Sequence, residues 1–194
     1  MNTGSKLKSG WKKFMSMNGS GVFLALIAFI ILVSIIAPRV TGGRFLTWTN
    51  IIQVFRQQTY IGIIACGMTL VMITGNIDLS VGSQLTLMTV LCAQFSKVMG
   101  AWTIPLTLLI GLGCGLLNGV LVGPCGLNAF ITTLGTGSIY GALTLILVSG
   151  HTVRAEVPLL DIIGKGSLFN VIPVPVVILL VVVLIFAFLL KNTV

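Results

Sequence analysis

Acidic side chains are almost missing from this sequence: among 194 residues there are three, Asp78, Glu156 and Asp161, beside eleven Lys and Arg and one histidine, His151. Charged residues make up 7% of the chain, against about 25% in a soluble globular protein. One His and three scattered acids supply no nucleophile, base and orienting partner, so no catalytic residue and no enzyme activity are expected. The cysteines Cys66, Cys92, Cys114 and Cys125 have no C-x-x-C spacing, and they read as small buried hydrophobes rather than metal ligands or disulfide partners. Glu156 and Asp161 have no metal-like spacing partner. The phosphate-binding pattern G-x-x-x-x-G-K-[ST] is also missing, because Gly164-Lys165-Gly166 lacks the upstream glycine and the hydroxyl residue after the lysine. Nucleotide binding by that route is therefore not expected, and neither a cofactor nor a metal is called for.

What the chain has instead is apolar length. It is 56% hydrophobic, with a mean hydropathy of +1.14, the composition of an integral membrane protein. The net charge of +8 does not point to nucleic acid, since four of the eleven basic residues lie in the first thirteen positions and the rest are scattered between apolar runs. The expected fold is all-α, a polytopic membrane helical bundle of about six transmembrane helices, in contact with the lipid bilayer and broken once near residues 75–80. Residues 1–18 are expected to be a basic cytoplasmic tail, with Trp11, Phe14 and Met17 among Lys6, Lys8, Lys12 and Lys13, lying against anionic headgroups.

The first span is expected over Gly21–Ala37 and is read as uncleaved, since no A-x-A pattern precedes Pro38. The four lysines before it, against Arg39 and Arg44 after it, favour a cytoplasmic N-terminus. The full count does not decide: alternation places Lys6, Lys8, Lys12, Lys13 and Lys191 inside and Arg39, Arg44, Arg56, Lys97, Arg154 and Lys165 outside. Phe45–Gln57 reads as an interfacial helix capped by Thr49 or Asn50, followed by a second span at Thr59–Thr74. A third, Val81–Met99, carries Ser83, Gln84, Thr86 and Thr89 in its first half and is expected to face protein or a pathway. The fourth, Trp102–Gly123, places Gly111, Gly115, Gly119 and Gly123 on one face as a packing seam, with Asn118 beside it to hydrogen-bond across. The fifth, Asn128–Val148, begins with Thr132, Thr133, Gly135, Thr136, Gly137 and Ser138, whose hydroxyls either bond back to their own helix or line a polar route. Residues 149–170 read as a loop, and Val171–Leu190 as the sixth span.

Between the second and third spans lies Ile73-Thr-Gly-Asn-Ile-Asp-Leu-Ser-Val-Gly-Ser83. An ionisable group at membrane depth costs about 2.5–3.5 kcal/mol on insertion scales, so Asp78 requires a polar cavity or a partner. Gly75 and Asn76 interrupt a helix, and Asp78 and Ser80 suit the N-cap of one beginning near Val81. Two readings follow: a helix break whose N-terminus points inward, where irregular backbone meets protein or water, or a tight turn at the membrane surface with Asp78 as a simple cap.

The stretch Gly67-Met-Thr-Leu-Val-Met-Ile-Thr-Gly-Asn-Ile-Asp-Leu-Ser-Val-Gly-Ser83 resembles the signature of the permease subunits of bacterial ABC importers for ribose and related simple sugars, with Asn76 where a second glycine is usual. The resemblance resumes at Leu117-Asn-Gly-Val-Leu-Val and at Asn128-Ala-Phe-Ile-Thr-Thr-Leu-Gly-Thr-Gly137, and runs from about residue 45 onward. It implies an N-terminal portion of such a permease, with residues 19–194 an incomplete transmembrane domain, since the family continues past a similar threonine into a segment contacting the ATPase and into further spans. It also implies partners: separate ATPase subunits, a second permease copy or partner, and an extracytoplasmic sugar-binding protein met by the loop 149–170. The expected location is the bacterial inner or plasma membrane. On this reading Asn76, Asp78, Ser80, Ser83, Asn118, Asn128, Thr132, Thr133 and Thr136 are the candidates for the translocation pathway. The alternative expectation is a truncated membrane protein that moves nothing and acts only in assembly or regulation.

Overall fold

A computed structural model describes residues 20–42, 45, 47–169 and 171–193; the basic tail expected over 1–18, and Arg44, lie outside the described residues. The chain falls into two compact units, Met1–Val54 and Phe55–Val194. In the first, helix α1 spans Ser20–Thr41 and carries Pro38 in its last turn, where the missing N–H costs one i→i−4 bond just before the helix ends. The next helix, α2, spans Trp48–Ile73. Its start is capped by Thr47, whose Oγ1 accepts from the Asn50 N–H at 3.3 Å, rather than by Thr49 or Asn50. Asn50 instead donates through Nδ2 to the Phe45 carbonyl at 2.7 Å.

Helix α2 is one continuous element of 26 residues, so the expected interfacial helix and second span are a single helix. The change at Gln57–Thr59 is one of composition, and Arg56, Gln57 and Gln58 are all adequate helix formers. Among the described residues, four apolar stretches have the length and composition to cross a membrane: Ser20–Arg39, Val81–Val122, Ala129–Val148 and Val174–Asn192. α2 is not among them. Its apolar part, residues 61–73, rises only about 20 Å at 1.5 Å per residue, against the roughly 30 Å of a hydrocarbon core.

In the second unit, α3 (Val81–Met99) and α4 (Thr103–Val122) are separated by a single 3-10 turn at Gly100–Trp102. Helix α5 spans Ala129–Val148, capped by Asn128. α3 packs against both α4 and α5. Its amides tie it to each: Gln84 Nε2 donates to the Gly111 carbonyl on α4 at 2.7 Å, and Gln94 Nε2 to the Leu147 carbonyl on α5 at 2.6 Å. Thr86 and Thr89, expected to face protein, are exposed and donate to the carbonyls of Gly82 and Leu85. Such a bond back along the helix hides a hydroxyl without any neighbour.

Residues 149–170 are more than a loop. Pro158–Lys165 forms a short helix, α6, with its proline in the first turn, a position where proline is pre-organised for helix. Ser167–Leu168 (β1) then pairs antiparallel with Ile172–Pro173 (β2), and α7 covers Val174–Thr193. Arg56 on α2 donates to the Lys165 carbonyl at 3.0 Å, satisfying an acceptor that a helix C-terminus leaves open.

The burial pattern is inverted relative to a soluble protein. The buried polar residues are Thr59, Ser80, Ser96, Thr103, Thr107, Asn118, Thr133, Thr136 and Thr144, against four buried apolar ones, Leu87, Ala93, Tyr140 and Val157. Large aliphatics such as Leu108, Leu145, Ile146 and Leu184 stand outside. Lipid is as apolar as leucine, so helices associate through small and hydroxylated faces instead. Of the cysteines, Cys66, Cys92 and Cys114 are half-buried and Cys125 is exposed in the turn after α4, which corrects the expectation that all four are buried.

α5 comes close to the chain between α2 and α3 at Gly137, where an added Cβ would lie 3.1 Å from Ser80 Cα; at Gly135 it would meet nothing within 4 Å. Gly137→Val is expected to destabilise the bundle by about 1–3 kcal/mol through overpacking, and Gly135→Val by under about 1 kcal/mol. Unfolding of both variants in mixed micelles checks this, and equal losses would contradict the packing. On α6, Lys165 Nζ bonds Asp161 Oδ1 at 2.6 Å, and that bond, then the lysine charge, lowers the Asp161 carboxyl pKa from 3.8. A depressed acid stabilises the fold above its unfolded pKa and loses that contribution as pH falls through the folded one. NMR titration of Asp161 is therefore expected to give a midpoint below 3.8 that rises in Lys165→Met.

Candidate functional site

Helix α2 ends at Ile73, Gly75 turns with φ +76°, and α3 begins at Val81. Only glycine adopts that backbone conformation without strain, so the break is written into residue 75. The Gly75 N–H reaches the Met72 carbonyl at 3.0 Å and the Asn76 N–H the Val71 carbonyl at 3.3 Å, a closing pattern for the end of α2 that uses the orphan carbonyls.

Asp78 sits in the middle of this break, half-buried. Its Oδ1 accepts both the Ser80 N–H at 2.8 Å and the Ser80 Oγ–H at 2.6 Å. This is an Asx turn, in which the acid holds its own backbone two residues on. Ser80 occupies the N-cap position of α3 but makes no side-chain cap bond, because its backbone is already helical (φ −80°, ψ −18°). Its hydroxyl, fully buried, instead accepts from Asn118 Nδ2 on α4 at 2.8 Å. A chain of two hydrogen bonds thus runs from α4 through Ser80 to the carboxylate. Asn118 Oδ1, buried, has no hydrogen-bond partner.

From α5, Thr133 holds the other side. Its Oγ1 donates to the Ala129 carbonyl one turn back at 2.7 Å and accepts the Leu79 N–H at 3.1 Å. That lone pair satisfies a backbone donor of the break. Around these groups lies a cavity of about 360 Å³, walled by Val71, Thr74 and Asn76–Asp78 from the break, Gly115, Asn118, Gly119, Val122 and Gly123 from α4 and its end, and Ala129 and Thr133 from α5.

Of the candidates named from the sequence, Asn76, Asp78, Asn118 and Thr133 meet at this cavity, and Ser80 is the buried link behind it. The others lie elsewhere. Asn128 is exposed and caps α5, its Oδ1 accepting from the Ile131 N–H at 3.3 Å. Thr136 is buried and donates to the Thr133 carbonyl at 3.3 Å. Ser83 is half-buried near Gly141, where an added Cβ would lie 3.8 Å from its Oγ, and Thr132 is half-buried on α5. The glycine row divides as well. Gly111 meets Met88 on α3, whereas at Gly115 and Gly119 an added Cβ would enter open space, and Gly123 meets only the Gly119 carbonyl of its own chain segment. Cavity-lining Thr74, Val71, Ile77 and Ala129 carried no polar or spacing signal of their own, except that Thr74 directly precedes the breaking glycine.

Residues 50–194 match the family model described as branched-chain amino acid transport system / permease component. The chain is 35% identical over 177 residues to the ribose import permease protein RbsC of Haemophilus influenzae, covering 88% of this chain and 53% of that protein. It is 36% identical to the ribose import permease protein RbsC of Bacillus subtilis, over 91% of this chain and 54% of that one. It is 33% identical to the fructose import permease protein FrcC of Rhizobium meliloti, over 76% and 38% respectively. The chain therefore spans about half the length, or less, of these relatives. No solved structure matches it significantly. A family match over three quarters of the sequence, on a helical bundle whose large aliphatics face outward, makes this a multi-pass membrane protein: the chain belongs to the family described as branched-chain amino acid transport system / permease component.

Proposed function

We propose that this chain is a permease subunit of an ABC importer for ribose-like simple sugars, forming part of the translocation pathway. The observation that carries the reading is its 35–36% identity to ribose import permeases from two bacteria, over 88% and 91% of its length. Energy comes from separate ATPase subunits, sugar is delivered by an extracytoplasmic binding protein, and a second permease copy or partner completes the pathway. The chain lies in the bacterial inner or plasma membrane with a cytoplasmic N-terminus, and residues 19–194, which follow the basic tail, belong to the transmembrane domain and make up an incomplete part of it.

In this role the chain does no chemistry on its cargo. Two arrangements of the bundle alternate, and the polar groups at the helix break offer bonds weak enough to release a neutral solute on either side. Asn76, Asp78, Asn118 and Thr133 flank that route at the cavity and Ser80 holds Asp78 in place, while Ser83, Asn128, Thr132 and Thr136 lie outside it. Gly115 and Gly119 keep the wall of α4 low, while Gly111 lets α3 close on α4 and Gly123 ends the row.

The first test is co-expression of the tagged chain with the ATPase, binding protein and any partner permease of its own operon, followed by detergent pull-down and uptake of labelled D-ribose. Recovery of the ATPase and chain-dependent uptake are the expected results; a stably inserted chain that recovers no ATPase and moves no ribose would favour the assembly or regulatory alternative. Asp78→Ala removes the acceptor for two donors of Ser80, and leaving buried donors unmet costs about 1–3 kcal/mol. Uptake or assembly in the complete importer is therefore expected to fall, and wild-type levels of both would exclude a special role for Asp78.

A further inference from the structure

The hydrogen-bonding groups around the cavity are not evenly spent. Each hydroxyl proton in the wall already has a taker: Thr74 Oγ1 donates to the Val71 carbonyl at 2.7 Å, and Thr133 Oγ1 to that of Ala129 at 2.7 Å. The amides are committed through nitrogen. Asn76 Nδ2 lies 3.2 Å from the Thr74 carbonyl and 3.1 Å from Thr74 Oγ1, and Asn118 Nδ2 bonds Ser80 Oγ at 2.8 Å. What stays unspent is acceptor capacity. Asp78 uses Oδ1 for both Ser80 donors, and no donor among the described residues reaches its second oxygen or the side-chain oxygen of Asn76. Asn118 Oδ1 also lacks a partner, but it is buried out of reach of a solute, so the open acceptors are those of Asp78 and Asn76.

We propose that this cavity is a subsite for a neutral polyhydroxylated solute, gripped through the solute's own hydroxyl donors by the free side-chain oxygens of Asp78 and Asn76. The proposal rests on the sugar-importer reading and adds to it a location and a polarity: the protein accepts, and the cargo donates. Hydroxyl groups suit such a wall, because each donates one proton while its lone pairs remain free for water or a spare amide hydrogen. The rest of the lining suits the carbon skeleton. Val71, Ile77 and Val122 offer apolar contact, and Gly115 and Gly119 leave room where any side chain would intrude. The volume of about 360 Å³ falls at the small end of ordinary ligand pockets, about 300–1,000 Å³. The neutral-cargo assignment rests on the sugar-importer reading, and because Asp78 keeps its charge when neutral donors bond it, a diamine is the competitor that tests it.

The test uses the full chain in lipid nanodiscs and saturation-transfer NMR with D-ribose and ribitol, a method that reads weak binding. Both probes are expected to receive saturation, and Gly119→Leu, whose side chain enters open space and fills the cavity without disturbing the bundle, is expected to reduce it at least about fivefold. Asn76→Leu, which removes one of the two open acceptors, is expected to do the same. If its melting temperature drops, Gly119→Leu alone decides; unchanged saturation in Gly119→Leu overturns the location. Monodeoxy and monodeoxyfluoro riboses test the polarity, since fluorine keeps the size of a hydroxyl and accepts weakly but cannot donate. The fluoro sugar is expected to lose saturation as fully as the deoxy sugar at the contacting positions; a fluoro sugar that binds like ribose overturns the donor assignment. Displacement of ribitol by equimolar putrescine overturns the neutral-cargo assignment. The two readings separate cleanly: binding that obeys this pattern without ribose uptake by the assembled importer supports the subsite and removes the importer reading, whereas uptake without binding here removes the subsite and leaves that reading standing.

Discussion

One carboxylate organises the centre of the second unit. Asp78 lies between two helices that end and begin within a few residues of it, in a chain with two other acids. A buried or half-buried carboxylate persists only where donors meet it. Ser80 supplies two, and Asn118 reaches across from α4 to fix Ser80. That requirement determines where α3 starts, how near α5 approaches, and why Gly137 has no side chain. A Cβ there would press on the backbone of Ser80, which holds the acid. Thr133 completes the arrangement by accepting the Leu79 N–H, so the irregular backbone of the break is satisfied from α5 while its acid is satisfied from α4.

The same logic governs the bundle at large. Most hydroxyls of α3 and α5 give their proton to a carbonyl one turn back on their own helix, as Thr86, Thr89, Ser138 and Thr144 do. A helix can then turn these residues inward or toward lipid at little cost. Interhelical ties are left to the long amides Gln84 and Gln94 and to Thr103, which reaches the Cys92 carbonyl at 3.0 Å. Away from the break few bonds cross between the helices among the described residues, and these three, like the Tyr140 hydroxyl on the Cys114 carbonyl at 3.4 Å, end on backbone carbonyls. Such an interior is held together by close approach of small residues more than by specific polar pairs, and that is the condition under which helices can slide or tilt past one another.

The glycine row on α4 shows how one sequence pattern acquires two uses. At Gly111 a facing side chain, Met88, fills the space, as expected of a packing face. One and two turns further on, at Gly115 and Gly119, no element occupies that space, and the absence of side chains becomes the floor of a cavity. Spacing alone does not distinguish these cases, because a smooth face is needed both for a neighbour to approach and for a void to remain.

Much of the architecture was legible in the residues themselves. Apolar runs of about 20 residues, the scarcity of charge and the glycines and N-cap residues near 75–80 dictate membrane helices and the break, since each follows from local solvation and backbone conformation. Gly75 and Asn128 do what their chemistry requires wherever the rest of the chain goes. The short helix α6 was hidden because eight residues are too few for a periodic signal, and the continuity of α2 because a change in polarity mimics a helix end. The cavity was not legible either. Which of nine polar candidates meet, that Ser80 faces Asn118 instead of capping α3, and that Asn128 and Thr136 stand apart all depend on the angle at which α3, α4 and α5 cross. Sequence periodicity specifies the face a residue occupies on its own helix, and only tertiary packing decides what that face meets.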